Sequence, residues 1–544
     1  MSTQRKNDLL RQGSILAVAG ILVRLIGILY RIPMSNLLGD VGNGIYSVAY
    51  GIYSVTLTLS SSSLPLAVSK LIAQRSIQKQ HQNAYRLFRV ALIFSLAVGA
   101  AAALFLFFGA DFLEELYARD GLAKPLRIVA PTVLVMSGLG ILRGFFQGKN
   151  TMIPTAVSQL LEQIVNALVS IAAISWMMKV FAESQQQAAY GAAGGIMGTL
   201  AGALAALVFL IFIFSLCRPH LRRQLRSDPY GITESPREIL KSLMITVIPV
   251  ILSQTVYQIG FTLDDLMFGN LMDAKGIDNA TISSLQGVFN SQYNILINAP
   301  VAVATAMASS TIPSIAASTA SGNRREIRRK IRGVIKFNIA VAIPAAVGLA
   351  VLARPILTLL FPSLTAYRDL SSNLLVYGSS AVVFFALSTI TSAVLQSINQ
   401  MRTPVIHSAI SMGLHVVLLY LLLRFTDLGI YGLIIGNVTF PLVICVLNWR
   451  SVGIALSYRQ EVGKTFFIPL ISSAIMGLFA RGTYTALFSL TERHSLSTAA
   501  AILVAVLVYC FCLLWFRCFS RQELYDLPFG GRVVRLAQRL HLLP

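Results

Sequence analysis

The chain is poor in charge, in acid, in cysteine and in tryptophan. Only 12% of its 544 residues are charged, against 55% hydrophobic. A soluble domain carries about twice that charged share, so no sizeable soluble domain is expected. The five cysteines, Cys217, Cys445, Cys510, Cys512 and Cys518, fall in apolar segments or at their inner ends, which predicts no disulfide. No Cys/His spacing resembles a metal site. No GxxxxGK[ST] phosphate loop is present; the nearest imitation, Gly144 to Asn150 (GFFQGKN), has the wrong spacing and lies between apolar runs. ATP hydrolysis by this chain is therefore not expected. There are no paired carboxylates on a large external loop and no nucleophile elbow, so the reading is that the chain is not an enzyme.

What remains is apolar. Mean hydropathy is +0.70, and the runs repeatedly reach the roughly 20 residues that cross a bilayer as a helix. The pattern predicts an all-α polytopic membrane protein of fourteen spans. They fall near 13–38, 43–69, 86–109, 125–148, 154–178, 190–217, 239–271, 280–313, 333–361, 371–398, 404–424, 430–449, 464–490 and 495–516. The first is interrupted by Arg24 with no small-x-small cleavage site after it, so it is not expected to be a signal peptide. Placing both termini in the cytoplasm puts most Lys and Arg into inward segments, the positive-inside pattern. The net charge of +22 then records topology and contact with anionic headgroups. Basic residues spread over many short loops argue against a nucleic-acid partner.

The chain echoes itself at a distance of about 250 residues. Ser63 to Pro65 (SLP) late in the second span matches Thr311 to Pro313 (TIP) late in the eighth. Gln147 to Pro154 (QGKNTMIP) matches Gln396 to Pro404 (QSINQMRTP), and Tyr190-Gly191 matches Tyr431-Gly432. Six spans per repeat is an even number, so both halves enter the membrane in the same sense, with a cavity expected between them. The expected organisation is a six-helix lobe at 1–217, a basic linker at 218–238, a second lobe at 239–449, two further helices at 450–516, and a basic tail at 517–544.

Polar groups inside spans are expensive and mark function. Arg24 and Arg31 lie in the first span, two turns apart on one face, with Arg24 about 18 Å into it. Two fixed positive charges suggest an anionic passenger. Span 5 carries Gln159, Glu162, Gln163, Asn166 and Ser170 on one face. Glu162 is a candidate for substrate contact or a structural partner of Arg24. Span 7 offers Gln254, Gln258, Asp264 and Asp265, the adjacent acids pointing about 100° apart. Span 8 spaces Gln286, Asn290, Asn294 and Asn298 four apart, suited to helix packing or to sugar hydroxyls. His407 and His415 share a face of span 11, with packing or proton relay as their roles. Tyr46, Tyr50 and Tyr53 form a stripe in span 2. Finally, 321–336 (SGNRREIRRKIRGVIK) sets Ile327, Ile331, Val334 and Ile335 among five arginines. This predicts an amphipathic helix lying on the inner leaflet.

The stretch Arg24 to Ala73 (RLIGILYRIPMSNLLGDVGNGIYSVAYGIYSVTLTLSSSSLPLAVSKLIA) resembles the stage V sporulation protein B-like polysaccharide transporters, and Arg143 to Gln163 (RGFFQGKNTMIPTAVSQLLEQ) is equally similar. These belong to the multidrug/oligosaccharidyl-lipid/polysaccharide exporter superfamily, which includes the MurJ-type lipid II flippases. The resemblance implies two six-helix lobes around a central cavity, plus two C-terminal helices. It implies first-helix arginines, here Arg24 and Arg31, that contact the pyrophosphate of a lipid-linked glycan. Gln159, Glu162, Asn166, Asn290 and Asn294 join them as substrate-binding candidates. Asp264 and Asp265 are candidates for coupling to Na+ or H+; no other cofactor is implied. The implied setting is a bacterial cytoplasmic membrane, with anionic lipids and cell-wall synthesis machinery as partners.

Overall fold

The structure is a computed structural model. It describes residues 3–62, 64–229, 231, 234–320, 322–457, 460–520 and 523, with 3–18, 62 and parts of 249–261 and 309–320 described in backbone only. The basic tail beyond 523, the side chain of Gln254 and the repeat echoes at Ser63 and at Thr311 and Pro313 lie outside the described side chains. Every regular element among the described residues is helical, and they divide into two compact units, Met1–Ser291 and Gln292–Pro544.

The first unit holds α1 (Thr3–Leu57), α2 (Leu64–Ile77), α3 (His81–Phe108), α4 (Ala110–Leu116), α5 (Ala123–Gly148), α6 (Ile153–Val180), α7 (Gln187–Arg226), α8 (Pro236–Asp273) and α9 (Asn279–Gly287). The second holds α10 (Asn294–Ala320), α11 (Arg324–Val351), α12 (Ala353–Leu360), α13 (Arg368–Gly378), α14 (Ala381–Ser397), α15 (Arg402–Phe425), α16 (Ile430–Leu456), α17 (Ile468–Thr491) and α18 (His494–Trp515). The compact units thus divide inside the eighth span, later in the chain than the sequence repeat does.

The outer surface is apolar as well as the core. Phe108 and Leu478 are 76% and 75% exposed, whereas Gln286 and Asn448 are fully buried. Large apolar side chains outside and satisfied amides inside are what a hydrocarbon solvent selects. This is a multi-pass membrane protein. Ten helices among the described residues are long and apolar enough to cross a bilayer, eleven if the bent pair α13–α14 is one span. The expected fourteen exceeds the eleven by three spans. Ala19–Ile77 counts once although two expected spans run through it. It is broken at Gly39, where φ 70 and ψ 175 leave the helical region, a conformation glycine adopts without steric cost. Segments 239–271 and 280–313 form α8 and the pair α9–α10 but are not among the ten.

The repeated QGKN and QSIN motifs take the same turn. Asn150 and Asn399 both sit at positive φ, 58° and 65°, just after α5 and α14. Their amides donate to Gln147 and Gln396. Asparagine tolerates this left-handed position better than other side chains.

The segment 321–336 is corrected by the structure. From Arg324 on it is not a separate surface helix but the first turns of α11. Ile327, Ile331 and Ile335 are at most 4% exposed and pack into the second unit's core with Ile390 and Val394 of α14. A 3.6-residue apolar period serves a protein core as well as a lipid surface. His407 and His415 likewise pack: His407 Nδ1 lies 2.7 Å from Asn448 Oδ1, and His415 meets Phe440 edge-on.

Candidate anion-binding face and a buried polar cluster

Helix α1 brings Arg24 and Arg31 to the same face as Gly27. Gln163 of α6 packs over Gly27, its Nε2 3.3 Å from where a Cβ would stand. The polar stripe of α6 therefore meets the arginine face of α1. Arg31 is half-buried. Its guanidinium lies 5.1 Å above the Tyr50 ring and beside the Tyr30 and Tyr46 side chains. Tyr46 and Tyr50 stack at 5.9 Å between ring centroids, and Tyr53 meets Tyr50 at 5.7 Å with its ring tilted by 56°. A guanidinium held on an aromatic face gains about 1–2 kcal/mol and keeps its charge. Arg24 is exposed, and no acid pairs with it among the described residues.

Glu162 does not serve Arg24. It pairs with Arg143 of α5, Nη2 to Oε2 at 2.6 Å, while Arg143 Nε donates to Ser158 Oγ at 3.0 Å. Two positions on α6, one turn apart, thus grip one α5 arginine. Asn166 is a packing residue: its Nδ2 donates to Tyr30 Oη at 3.4 Å, and its Oδ1 accepts from Ser170. Gln159, near the start of α6, is half-buried on the same helix.

A second polar cluster lies elsewhere in the first unit. Asp264 and Asp265 of α8 are both buried. Asn290 Nδ2 donates to Asp265 Oδ1 at 3.0 Å and to Ser47 Oγ at 3.2 Å. Gln286 Nε2 donates to the Asp265 carbonyl at 2.9 Å and its Oε1 accepts from Arg119 Nε at 3.0 Å. Arg119, in the loop between α4 and α5, is 1% exposed. Burial lowers its guanidinium to about 10, opposed by Asp265, Asp273 and Asp120, so it stays protonated at neutral pH. The ladder of amides expected in span 8 is interrupted by a π-helical turn, Val288–Tyr293. Gln286 and Asn290 both reach α8. Asn294 opens α10 in the second unit, where its carbonyl accepts from Asn298 Nδ2.

Arg143 and Arg119 had weak signals in the sequence. Arg143 sits inside an expected span near a basic inner loop, where an arginine looks like a topology marker. Arg119 falls in an expected outer loop, where it looks solvated.

At this cluster α9 and α1 touch through backbone. A Cβ on Gly287 would stand 2.0 Å from the Asp40 carbonyl oxygen, and one on Gly44 would stand 1.9 Å from that of Ser283. Gly287→Val is expected to push the helices apart at about 1–3 kcal/mol, lowering the thermal midpoint of the purified protein by several degrees. Gly413→Val, facing open space, is the matched control and should leave the midpoint near wild type.

An all-helical protein with an apolar outer surface and two arginines on one face of a membrane-capable helix is a multi-pass membrane protein in class. The chain belongs to the polysaccharide biosynthesis protein family, whose model matches residues 9–319, within the multidrug/oligosaccharidyl-lipid/polysaccharide exporter superfamily; a MatE model matches 249–421. Lipid II flippase MurJ of Bacillus subtilis (strain 168) is 26% identical over 93% of this chain and 95% of its own length. Stage V sporulation protein B of the same organism is 23% identical over 97% and 99%. Among solved structures, a lipid II flippase MurJ in an inward closed conformation aligns at TM-score 0.65 and 16% identity, covering 92% of this chain and 98% of that one. An inward-facing multidrug resistance MATE family transporter aligns at 0.62 and 18% identity over 80% and 98%. These likenesses give the fold, and the family gives a flippase or transporter.

Proposed function

We propose that this chain flips an undecaprenyl-pyrophosphate-linked glycan, with lipid II the first candidate, from the inner to the outer leaflet of a bacterial cytoplasmic membrane. The lobes would expose the site alternately to the two sides, with both termini in the cytoplasm. The observation that carries the reading is Arg24: a charge within a membrane span, left without an acid among the described residues while Glu162 is committed to Arg143. An unneutralised guanidinium there costs about 3 kcal/mol and is accounted for by an anionic ligand. Arg31 on Tyr50 supplies a second cation to the same diphosphate. A cleft of about 450 Å³ in the second unit, lined by Pro344, Leu349, Ile356, Met476, Ile502 and Tyr509, is mostly apolar and suits a polyprenyl tail.

The driving force in this reading is the membrane potential or a gradient of Na+ or H+, with Asp264 and Asp265 as coupling candidates. The Arg119 cation near Asp265 favours the potential, which acts on a moving charge without a bound ion at about 2.3 kcal/mol per 100 mV. A second reading, export of another lipid-linked oligosaccharide, draws on the polysaccharide family match. A cation-coupled drug exporter is disfavoured by the arginines on α1. The test is to express the chain in a strain depleted of its lipid II flippase and to measure outer-leaflet lipid II. Rescue with restored outer-leaflet lipid II is expected. Rescue without it would mean an indirect role, and failure to rescue would favour the other glycan.

A further inference from the structure

Beyond its last apolar turns, α7 continues as a basic helix whose four arginines the reading above leaves unused. Arg218, Arg222, Arg223 and Arg226 line a cleft of about 370 Å³ with Ser215 and Pro219. Positions 215, 218, 222 and 226 fall within about 80° of arc on one helix face. All four guanidinium groups are exposed, and none has an acid partner among the described residues. The nearby acids are engaged elsewhere: Asp228 accepts from the Gln82 amide at 2.6 Å, and Glu234 holds Arg75 at 2.6 Å. The flanking face of the same turns is fixed, with Leu221 buried in the first unit's core and Leu225 packed against it. The arginine face therefore stands on a rigid support.

What this face meets is legible from the turns before it. Val208, Ile211 and Phe212 are 65%, 49% and 60% exposed and lie along the same side of α7. One helix face is thus lipid-facing through the hydrocarbon and becomes arginine where the hydrocarbon ends. A cluster of basic residues at that level, on the lipid side, meets phosphate headgroups. Planar guanidinium forks match phosphate oxygens in pairs.

We propose that the α7 arginine face is a binding site for the headgroup of a resident anionic phospholipid. The occupant is a glycerophospholipid rather than the transported substrate, because the face opens to the bilayer rather than toward the arginines of α1. The site rests on packing within the first unit and stands whether or not the flippase reading does.

The test uses the full-length protein, purified in detergent and delipidated, with binding of phosphatidylglycerol and phosphatidylcholine read by native mass spectrometry. Each arginine at an anionic lipid surface adds about fivefold in affinity. Arg218→Gln/Arg222→Gln is therefore expected to weaken phosphatidylglycerol binding at least tenfold and leave phosphatidylcholine unchanged. The control Arg324→Gln/Arg325→Gln, two exposed arginines of α11, is expected to change little. Unchanged phosphatidylglycerol binding would mean that the arginines serve only topology and the helix end, and would overturn the site. Equal loss in the control would mean a diffuse field and would also overturn it. Undecaprenyl diphosphate displacing phosphatidylglycerol from wild type, but not from the double variant, would assign the face to substrate and overturn the phospholipid. Should the glutamine variant not be recovered, Arg218→Lys/Arg222→Lys keeps the charge and is expected to bind about threefold more weakly. Wild-type affinity in that variant would overturn the proposal.

Discussion

Arg143→Gln is expected to destabilise the protein by about 2–4 kcal/mol, Glu162→Gln by a similar amount, and the double replacement by much less than the sum. The pair is short, and its side chains are only 11% and 24% exposed. Removing either partner leaves the other charge within a span. Breaking a buried pair costs about 3–5 kcal/mol, whereas replacing both members by neutral groups is often close to neutral. The partial exposure of Glu162 trims the upper figure. Thermal midpoints of the four purified proteins close the cycle. Single variants as stable as wild type would show that the pair contributes nothing. The double variant should also regain flipping to within several-fold, because the diphosphate is assigned to Arg24 and Arg31. A stable but inactive double variant would give Arg143 or Glu162 a direct part in transport.

The sequence carried the helices and their repetition, because twenty-residue apolar runs and turn motifs such as QGKN are local signals. It carried the arginine face of α1, because a seven-residue spacing places two side chains together whatever surrounds them. It did not carry partners. Glu162 has several basic residues within possible reach, and only the packing of α5 against α6 selects Arg143. Asp264 and Asp265 point in different directions from one helix, yet both are buried, because neighbours close over both faces. The stripe of Ile327, Ile331 and Ile335 was legible as amphipathic but silent about whether lipid or protein covers it. The break at Gly39 and the π turn at Val288–Tyr293 shift the faces that follow them, and no composition rule announces either.

Arg24→Ala is expected to abolish flipping, by about 100-fold or more, while leaving the protein in the membrane at near wild-type level. Charge-assisted hydrogen bonds to a phosphate are worth about 1.5–3 kcal/mol each, and a fork makes two of them. Arg24→Lys keeps the charge but offers no planar pair of donors, so flipping about tenfold below wild type is expected. Folding should survive both changes for a reason visible only in three dimensions. Glu162, the acid that Arg24 could have neutralised, is already held by Arg143, so removing Arg24 strands no carboxylate. Deleting a charge from a span also eases insertion. The decisive measurement is outer-leaflet lipid II in cells carrying each variant as the only flippase, with protein level quantified in parallel. Wild-type flipping by Arg24→Ala would defeat the diphosphate assignment. Loss of the protein itself would make Arg24 a structural residue, its acid partner still to be found.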